Sequence, residues 1–516
     1  MIYLNEWNEG YFTADTYTYG YYKDLSPTYQ NFCLLLRGFA APEINENSNF
    51  CELGFGQGVS VNIHAASTPG HFYGTDFNPA HAANANELCE ASGCDGKFFD
   101  DSFEEMLNRD DLPQFDFISL HGIWTWVSAE NQKIIVEFAR KFLKSGGVLY
   151  NSYNTFPGWA AHSPMRELLI MYDKFIGSNN SDINSRVGGA VKFTEDLLNA
   201  KPLYARGIAN VDNVLNDMKK DDPHYVAHEF LNRDWICMYF ADVVEMLSSA
   251  KLEFACTTSP LDSIDELNLK PEAISFLNKI NNPILREQSR DYFVNTRFRK
   301  DLFIRGARRI SAFERRKRLL NMSFVLLTTE SFEIKCNTVL GELAFNSAYN
   351  DTLMEFLASD NYRPKKFADI MKKNPSIPFE TIEQFIILLV SIDKLMPCQD
   401  EAAIKKVKAQ CDKLNDYLFK RVENSNEINL AVSPVIGGGI GLSRFAQIFA
   451  YEYKHGKKDV DSLARKAWKI IESQGQRLII EGKTAESAED NIEEFKRMAR
   501  FFLEKQLPIL RIFQIV

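Results

Sequence analysis

A glycine-rich segment, ELGFGQG at residues 52–58, lies between a short apolar run and the start of a predicted helix. Alternate glycines, here Gly54, Gly56 and Gly58, let a backbone turn tightly and approach a ligand where a Cβ atom would clash. The third glycine comes one residue too early for the dinucleotide fingerprint GxGxxG, which would need it at the position of Val59. A phosphate loop would need a following Gly-Lys-Ser/Thr, which the segment lacks.

Glu52 and Leu53 end the predicted strand and lead directly into the three glycines. A carboxylate at that point suits S-adenosylmethionine (SAM), because this cofactor carries a cationic amino acid and no pyrophosphate. We therefore expect Glu52 and the three glycines to hold the methionine end of SAM, with S-adenosylhomocysteine (AdoHcy) as the product.

Acidic residues also end the next two predicted strands. Asp76 ends the strand FYGTD, where an acid can bind both ribose hydroxyls, and Phe77 follows it in the cofactor site. Asp100 or Asp101 can accept a hydrogen bond from the adenine amino group, with Ser102 beside them. The alternative interpretation is a glycine-rich turn in an α/β fold without a cofactor. Acids at two successive strand ends favour the cofactor site.

Strands and helices alternate around these residues. Strands are predicted at 50–53, 72–76, 97–100, 115–120 and 148–153, and helices at 59–66, 79–92, 103–107 and 129–143. Two further strands, at 252–256 and 300–304, follow a helical stretch. This alternation predicts an α/β fold with a doubly wound, mainly parallel, seven-stranded Rossmann-like sheet covered by helices on both faces.

In such a sheet, ligands lie beyond the carboxyl ends of the strands. The fourth strand is followed by His121 and Trp124, and the fifth contains Tyr153 and Asn154 near its end. Methyl transfer is an in-line displacement that needs alignment and a neutral nucleophile. A lysine acceptor, whose pKa is about 10.4 in water, loses its proton more readily in a desolvated aromatic pocket. We expect Tyr153, Asn154 and Trp124 to form that pocket.

His121 is a candidate general base at the same edge. A contact with the cofactor, or a structural hydrogen bond, is its alternative role. The N-terminal tyrosines Tyr17, Tyr19, Tyr21 and Tyr22 can cover this edge as a lid, or pack across it without contacting a substrate.

Composition restricts the class of protein. The chain has 516 residues and a formal net charge of −10, which argues against non-specific nucleic-acid binding. Nine scattered cysteines without metal-finger spacing are typical of a reduced, cytoplasmic protein. The most apolar run, 385–390, is far shorter than the about 20 residues of a membrane span, and the N-terminus has no signal-peptide pattern. We expect a soluble, cytoplasmic protein without membrane insertion.

Three other patterns admit a chemical interpretation. His224 and His228 have zinc-site spacing with Glu229 adjacent, but no third ligand is evident, so we expect no metal. The basic run 305–318 could grip phosphates, yet its near-helical apolar spacing favours a solvated linking helix, so we expect no nucleic-acid partner. The glycines at 437–441 lack a suitable preceding strand and are interpreted as a loop.

Two domains are predicted. Residues 1–306 form the cofactor domain with a helical insert at about 160–224, and residues 307–516 form a mainly helical region that recognises substrate, pairs subunits as a homodimer, or both. A winged-helix-like unit is predicted at 362–398, from the pattern of helix, turn and helix.

Four ordered blocks of the first 306 residues resemble class I SAM-dependent methyltransferases that carry a methyltransferase regulatory domain. They are CELGFGQGVSVNIHA with FYGTDFNPAHAANA, HGIWTWVSAENQKIIVEFARKFLKSGGVLYNSYNTFPGW, HYVAHEFLNRDWICMYFADVVEML and DYFVNTRFRKDLFIR. The C-terminal third, ending LPILRIFQIV, is similar to the rickettsial-type bacterial lysine methyltransferases of outer-membrane proteins. The resemblance implies SAM at the loop and strand-end acids, and a protein lysine as the acceptor.

Two rival functions stay open at this point. One is a methyltransferase that acts on a glycan, a lipid or a small metabolite, with the same cofactor half. The other is a non-catalytic SAM-binding scaffold or regulatory subunit whose strand ends no longer catalyse methyl transfer.

Overall fold

The predicted alternation of strands and helices is present in the computed structural model, which describes residues 19–177, 183–207, 219–220, 232, 234–345 and 348–516. Seven strands form one sheet: β1 (Asn49–Leu53), β2 (His71–Thr75), β3 (Gly96–Phe99), β4 (Phe115–Leu120), β5 (Leu143–Asn154), β6 (Leu252–Thr257) and β7 (Phe298–Arg305). The helices of this part are α1 (Pro27–Leu36), α2 (Val59–Ser67), α3 (Pro79–Ser92), α4 (Phe103–Asn108), α5 (Ala129–Phe142), α6 (Ser163–Phe175), α7 (Ile183–Asn199), α8 (Phe240–Ser248), α9 (Asp265–Asn268), α10 (Pro271–Leu277) and α11 (Pro283–Val294).

The strand order across the sheet is β3-β2-β1-β4-β5-β7-β6. The first five strands in this order are parallel, and β7 runs antiparallel to both β5 and β6. The chain winds outward from β1 through β2 and β3, then returns to the other side of β1 at β4. That reversal opens a crevice at the carboxyl ends of β1 and β4, where ligands bind in folds of this kind. The predicted doubly wound, mainly parallel sheet is confirmed.

Local capping explains why the helices around this crevice begin where they do. The side chain of Asn78 accepts a hydrogen bond from the backbone at the start of α3, and Ser128 does the same for α5. Ser102 and Glu105 form a reciprocal capping box at the start of α4. Gly93, in the left-handed region, ends α3. These signals are local, so the sequence predicts these helix boundaries well.

The C-terminal region is mainly helical, as predicted. Its helices are α12 (Ala312–Asn321), α13 (Asn350–Tyr362), α14 (Phe367–Lys373), α15 (Phe379–Ser391), α16 (Glu401–Arg421), α17 (Arg444–Lys454), α18 (Val460–Ser473), α19 (Ala488–Phe501) and α20 (Leu507–Ile512). Its short strands are β8 (Ser323–Leu326), β9 (Lys335–Thr338), β10 (Gly341–Ala344), β11 (Lys365–Lys366), β12 (Leu395–Cys398), β13 (Leu430–Ser433), β14 (Gly438–Gly441), β15 (Ile479–Ile480) and β16 (Lys483–Thr484). The helices α14 and α15 supply the predicted helix, turn and helix, and the likeness to a winged helix stays a prediction.

The glycine segment at 437–441 differs from the predicted loop. It forms β14, which pairs antiparallel with β13. The physical reason is a close contact with the N-terminal segment, since a Cβ atom at Gly438 would lie 2.4 Å from the Tyr21 hydroxyl. Packing between distant parts of the chain therefore requires glycine at position 438.

The two parts of the chain share one hydrophobic core. A continuous cluster of buried residues extends from Leu25 to Ile515 and includes Phe32 and Phe324, whose rings meet edge to face at 5.6 Å. Helix α16 also contacts the cofactor half, where the Cys411 thiol donates to the Ala66 carbonyl at 3.2 Å. The proposed boundary at residue 306 therefore separates two stretches of sequence that pack against each other.

Several sequence predictions fall outside the described residues. These are the position of Tyr17 and the arrangement of His224, His228 and Glu229. The predicted insert at 160–224 is described in part, through α6 and α7. Among the helices that the structure describes, none combines the length and the apolar character needed to cross a membrane.

Candidate functional site

The glycine loop after β1 adopts a conformation that favours glycine at three alternate positions. Gly54, Gly56 and Gly58 have φ values of 72°, 58° and 72°. The loop is tied to the end of β2, because the Gly54 N–H donates to the Thr75 carbonyl at 2.7 Å and the Gly56 N–H donates to Asp76 Oδ2 at 2.8 Å. The backbone is thereby held open toward the crevice, with no side chain on the loop glycines to fill it.

Close contacts at Gly58 and Gly54 define which residues surround the glycine loop. A Cβ atom at Gly58 would lie 2.4 Å from the Cβ and 2.9 Å from the Cα of Ala85, so α2 and α3 can meet only at a glycine. A Cβ atom at Gly54 would lie 2.2 Å from the Ile123 side chain, which comes from the segment after β4. The loop is therefore enclosed by α3 on one side and by the post-β4 segment on the other.

Glu52 supplies a test of whether the site fits SAM. Its side chain is 7% exposed, and no described side chain or backbone group donates a hydrogen bond to its carboxylate. Burial, and secondly the charge of Asp76, raise the pKa of Glu52 to about 8. A buried carboxylate without a partner is costly, and a cationic group beside it would remove that cost. The ammonium of the SAM methionine end is such a group, so the residues present fit the cofactor.

Asp76, the predicted ribose ligand, directly follows β2 and contacts the glycine loop at Gly56. Besides Gly56, it accepts hydrogen bonds from the backbone N–H of Asn78 at 3.1 Å and from Nδ1 of His81 at 2.9 Å. His81 is nearly buried on α3 and holds the carboxylate in place. Its part in the site was missed by the sequence analysis, because a histidine at the start of a helix carries no signal of its own.

At the predicted adenine end of the site, Asp100, Asp101 and Ser102 differ in their hydrogen-bond partners. Asp101 accepts from Arg109 Nη1 at 2.7 Å, and Ser102 is occupied in capping α4. Asp100 is exposed and has no hydrogen-bond partner among the described residues. The Arg109 guanidinium also lies 3.8 Å from the ring centre of Phe99. Which of the two acids contacts the adenine amino group stays a prediction.

Phe77, the remaining cofactor candidate, is half-buried directly after Asp76. It lies between β2 and α3, directly after the residue that binds the glycine loop. This position is compatible with contact to the nucleoside, which stays a prediction.

The sheet edge that the sequence analysis expects to face the methyl group contains His121, Tyr150 and Ser152, and it is called the methyl-transfer edge below. His121 Nδ1 lies 2.8 Å from the Tyr150 hydroxyl and 3.5 Å from Ser152 Oγ. The ring of Tyr22 covers it at a centroid distance of 3.7 Å, and Phe298 meets it edge-on at 6.4 Å. Of the tyrosines predicted to cover this edge, Tyr22 does so directly.

Burial lowers the pKa of His121 to about 4, against the smaller opposing effect of Asp24. The imidazole is therefore neutral near neutral pH and is a weak proton acceptor there. Its position favours a cofactor or acceptor contact over general-base catalysis.

Two of the other predicted catalytic residues, Tyr153 and Trp124, are packed into the core. Tyr153 is fully buried, and its hydroxyl donates to Asp301 Oδ2 at 2.7 Å. Trp124 is also fully buried in the cluster beneath the sheet. Asn154 is buried, and its backbone N–H donates to Thr125 Oγ1 at 2.8 Å. These placements support structural roles for Tyr153 and Trp124.

Strand alternation explains this result. Successive side chains of β5 point to opposite faces, so Tyr150 and Ser152 reach His121 while Tyr153 points into the core. The sequence analysis pointed to the polar end of β5 and did not establish which face of the strand meets His121.

A buried ion cluster supports β5 from β7. The Arg299 guanidinium donates to Asp301 at 2.7 Å, to Asp291 at 2.7 Å and to Glu287 at 2.9 Å. Arg299 is 6% exposed and Asp301 1%. The cluster, together with the Tyr153 hydroxyl, fixes the strand that carries Tyr150 and Ser152.

Three arginines of the basic run 305–318 contact other side chains of the protein. Arg315 pairs with Glu383, and Arg316 lies 4.1 Å from the ring centre of Phe379. Arg318 pairs with Glu314 one helical turn away on α12. The predicted linking helix is present as α12.

The raised pKa of Glu52 predicts how cofactor affinity depends on pH. Without a ligand this carboxyl is largely protonated below about pH 8, and an ammonium beside it favours the ionised form, so binding releases a proton. AdoHcy affinity is therefore expected to rise by up to about tenfold per unit from about pH 6 and to level off near pH 8. Calorimetric titration across this range measures the effect.

Two variants control this measurement. Glu52→Gln should bind AdoHcy more weakly and lose the pH dependence. Glu130→Gln, at an exposed position on α5, should keep the profile of the unmodified protein. A flat profile for the unmodified protein between pH 6 and 8 would contradict the assignment of Glu52.

Two regions match known protein families. Residues 50–147 match the family described as "Methyltransferase domain", and residues 222–305 match the family described as "Predicted methyltransferase regulatory domain". The matches cover the glycine loop, all three strand-end acids and the strand β7.

Two individual proteins extend this similarity to almost the full length, and a third covers about half of the chain. The Synechocystis protein sll1526 is 36% identical over 510 residues, which are 98% of each chain. The Rickettsia prowazekii protein RP789 is 27% identical over 287 residues, 54% of this chain and 50% of that protein. PKMT2 from Rickettsia typhi, solved in complex with AdoHcy, superposes with a TM-score of 0.69 at 19% identity, covering 98% of this chain and 100% of PKMT2.

Proposed function

We propose that this chain, which belongs to the family of SAM-dependent methyltransferases that carry a methyltransferase regulatory domain, transfers methyl groups to lysine side chains of a protein. Its cofactor is SAM. When bound, SAM supplies an electrophilic methyl group: the amine lone pair forms the new C–N bond while the C–S bond breaks, its electron pair stays on sulfur, and the methylated ammonium releases a proton to water.

One observation carries the choice of a lysine acceptor. Burial lowers the pKa of His121 at this edge to about 4, so its surroundings disfavour the charged form of the imidazole. A lysine ammonium that enters the same edge faces the same loss of hydration and gives up its proton more easily, which leaves the neutral amine that attacks the methyl group. Such an acceptor needs desolvation and alignment more than it needs a general base.

The edge also offers the contacts that align an amine. The rings of Tyr22 and Phe298 lie 3.7 and 6.4 Å from that of His121, centre to centre, and the Tyr150 hydroxyl lies 2.8 Å from His121 Nδ1. Oxygen atoms and aromatic faces can hold an amine with its lone pair directed at the methyl group. Further support comes from the full-length structural neighbour, a rickettsial protein lysine methyltransferase.

Label transfer tests this proposal. The purified protein is incubated with tritiated SAM and a lysate of its source, and the labelled protein fraction is hydrolysed in acid and separated by amino-acid analysis. Tritium in methylated lysine is the expected result. A Gly54→Arg variant, which should not bind SAM, is the matched control and should leave the fraction unlabelled.

The rival functions give other outcomes. Label only in glycan, lipid or small-molecule fractions would overturn the lysine assignment in favour of another acceptor. AdoHcy binding without label in any fraction would favour a scaffold that binds SAM and transfers nothing. Label on a protein residue other than lysine would also contradict the proposal.

The cellular setting is part of the same proposal. All nine cysteines are free thiols, which supports a cytoplasmic location. A surface or outer-membrane protein would then meet the enzyme before export. A homodimer formed through the C-terminal region stays a prediction.

A further inference from the structure

We infer that Cys89 and Cys94 form a reversible redox site, in which a peroxide converts the two thiols into a disulfide and a small thiol reduces it again. The site lies at the end of α3, where the chain turns into β3. Cys89 follows His81, the residue that holds Asp76, by eight positions, which is about 12 Å along the helix. The site is therefore separate from that of the cofactor, and its chemistry does not depend on the acceptor of the methyl group.

The ending of α3 brings the two sulfur atoms together. Gly93 ends the helix with a φ of 67°, and its N–H donates to the Cys89 carbonyl at 2.8 Å. In helix ends of this kind, the side chain four positions before the left-handed glycine frequently contacts the side chain directly after it. Here these two side chains are Cys89 and Cys94, and their sulfur atoms lie 3.5 Å apart. Apolar side chains commonly form this contact, whereas two thiols can also form a covalent bond across it.

The surroundings hold the Cys89 sulfur at this contact. It lies 3.6 Å from the carbonyl oxygens of both Cys94 and Gly96. A Cβ atom at Gly96 would lie 2.9 Å from the same sulfur, so a larger residue there would displace it. The first residue of β3 is thus a glycine that leaves room for the thiol.

Formation of the disulfide needs only a small movement. The sulfur atoms of a disulfide lie about 2.0 Å apart, so the pair closes by about 1.5 Å. Helix α3 is fixed one turn before Cys89, where Ala85 packs against Gly58 without space for a further atom. The chain after the helix is less restricted, because among the described residues a Cβ atom at Gly93 would approach only the end of a lysine side chain, at 3.5 Å. We therefore expect Cys94 to move toward Cys89, with the cofactor loop unchanged.

Exposure and charge favour this pair over the other thiols. All nine cysteines lie within the described residues, and of these nine Cys94 and Cys237 alone are partly exposed. Cys89 is 8% exposed beside Cys94. The hydrogen bond from the Cys94 thiol lowers the pKa of Cys89, because it stabilises the thiolate that attacks an oxidant. Burial raises the pKa of Cys237 to about 12, so its thiolate is scarce.

The oxidation proceeds in two steps. The Cys89 thiolate attacks one oxygen of hydrogen peroxide, so that an S–O bond forms, the O–O bond breaks, and the released hydroxide takes up a proton to become water. The Cys94 thiol then loses its proton and its sulfur attacks that of Cys89, so that the S–S bond forms, the S–O bond breaks and a second water leaves. Two molecules of a small thiol reverse the reaction and leave as their own disulfide.

The second thiol limits the damage that oxidation causes. A sulfenic acid without a neighbouring thiol reacts with a second peroxide and becomes a sulfinic acid, which small thiols do not reverse. Because Cys94 already contacts Cys89, it removes the sulfenic acid first. The junction of α3 and β3 is thereby oxidised reversibly.

Peptide mapping of the purified full-length protein tests the site. Glu90 lies between the two cysteines, so cleavage after glutamate releases residues 88–90 and 91–104 as separate peptides. After treatment with hydrogen peroxide and alkylation of the remaining thiols, we expect mass spectrometry to show these two peptides joined, about 2 Da lighter than the sum of their reduced masses. Dithiothreitol should separate them again.

Two variants test the role of the second thiol. Cys94→Ser keeps a hydroxyl donor beside Cys89 but removes the second sulfur, so peroxide should leave Cys89 as a sulfinic acid, about 32 Da heavier and not restored by dithiothreitol. Cys237→Ser is the matched control, since it removes the other partly exposed thiol, and its two peptides should join at the rate of the unmodified protein. The Kd of AdoHcy for the oxidised protein should stay within about twofold of that for the reduced protein.

Separate peptides after peroxide treatment would overturn the redox site, and so would peptides joined only in a dimer that a non-reducing gel resolves from the monomer. A Cys94→Ser variant in which dithiothreitol restores Cys89 completely would show that Cys94 is not needed for reversal. If this variant does not fold, the joining and separation of the two peptides in the unmodified protein decide. A Kd of AdoHcy that rises more than about twofold on oxidation would contradict the separation of this site from the cofactor site.

Discussion

Replacing Gly54 by arginine is expected to weaken the binding of SAM and AdoHcy at least about 100-fold, or about 2.8 kcal/mol, and to abolish methyl transfer. Gly54 has a φ of 72°, and a Cβ atom there would lie 2.2 Å from Ile123. The Ile123 side chain can move, but the guanidinium then fills the loop and pairs with Glu52. The carboxylate that would hold the cofactor ammonium is thereby occupied.

Gly38→Arg is the matched control for this variant. Gly38 has nearly the same φ, 75°, and nothing lies within 4 Å of a Cβ atom at this position. An arginine at position 38 has the same free-energy cost of a positive φ but does not reach the glycine loop. AdoHcy affinity should therefore be unchanged in Gly38→Arg. Normal affinity in Gly54→Arg itself, measured by calorimetry, would contradict the position of the cofactor.

The second large effect concerns the free energy of unfolding. Arg299→Ala removes a buried cation from Asp301, Asp291 and Glu287, and leaves carboxylates in the interior without their partner. Breaking a buried ion pair from one side costs about 3–5 kcal/mol, because the remaining charge is not compensated. Urea denaturation at neutral pH should show a loss of stability of this size. The variant should also perturb β5, which holds the methyl-transfer edge.

Arg465→Ala provides the comparison for Arg299→Ala. Arg465 pairs with Asp461 at 3.2 Å on the surface of α18, where its side chain is 64% exposed. An exposed pair of this kind contributes less than about 1 kcal/mol. A loss in Arg299→Ala as small as that in Arg465→Ala would show that the cluster does not stabilise the fold.

The strands and helices of the cofactor half were predictable because their signals are local. The apolar runs of β1, β2 and β3 are followed directly by a glycine or an acid, and caps such as Asn78 and Ser102 mark where helices begin. The same local signals identified Glu52, Asp76 and the loop glycines, since their spacing relative to the strand ends is a property of the sequence alone.

The remainder of the site depends on contacts between distant residues. His81 is recognisable only when α3 folds back beside Asp76, and the choice of Tyr150 and Ser152 over Tyr153 depends on which face of β5 meets the crevice. The glycines of β14 predict a loop, but the segment is a strand. The glycine at 438 is explained by its contact with Tyr21, which lies more than 400 positions earlier in the chain. No local pattern records such packing.

A crystal structure of the protein with AdoHcy is the most direct test of the cofactor site. The expected result places the amino group of the ligand within hydrogen-bonding distance of Glu52, the ribose beside Asp76, and the sulfur facing the edge formed by His121 and Tyr22. AdoHcy bound away from the glycine loop, or with its amino group remote from Glu52, would contradict the assignment of the site.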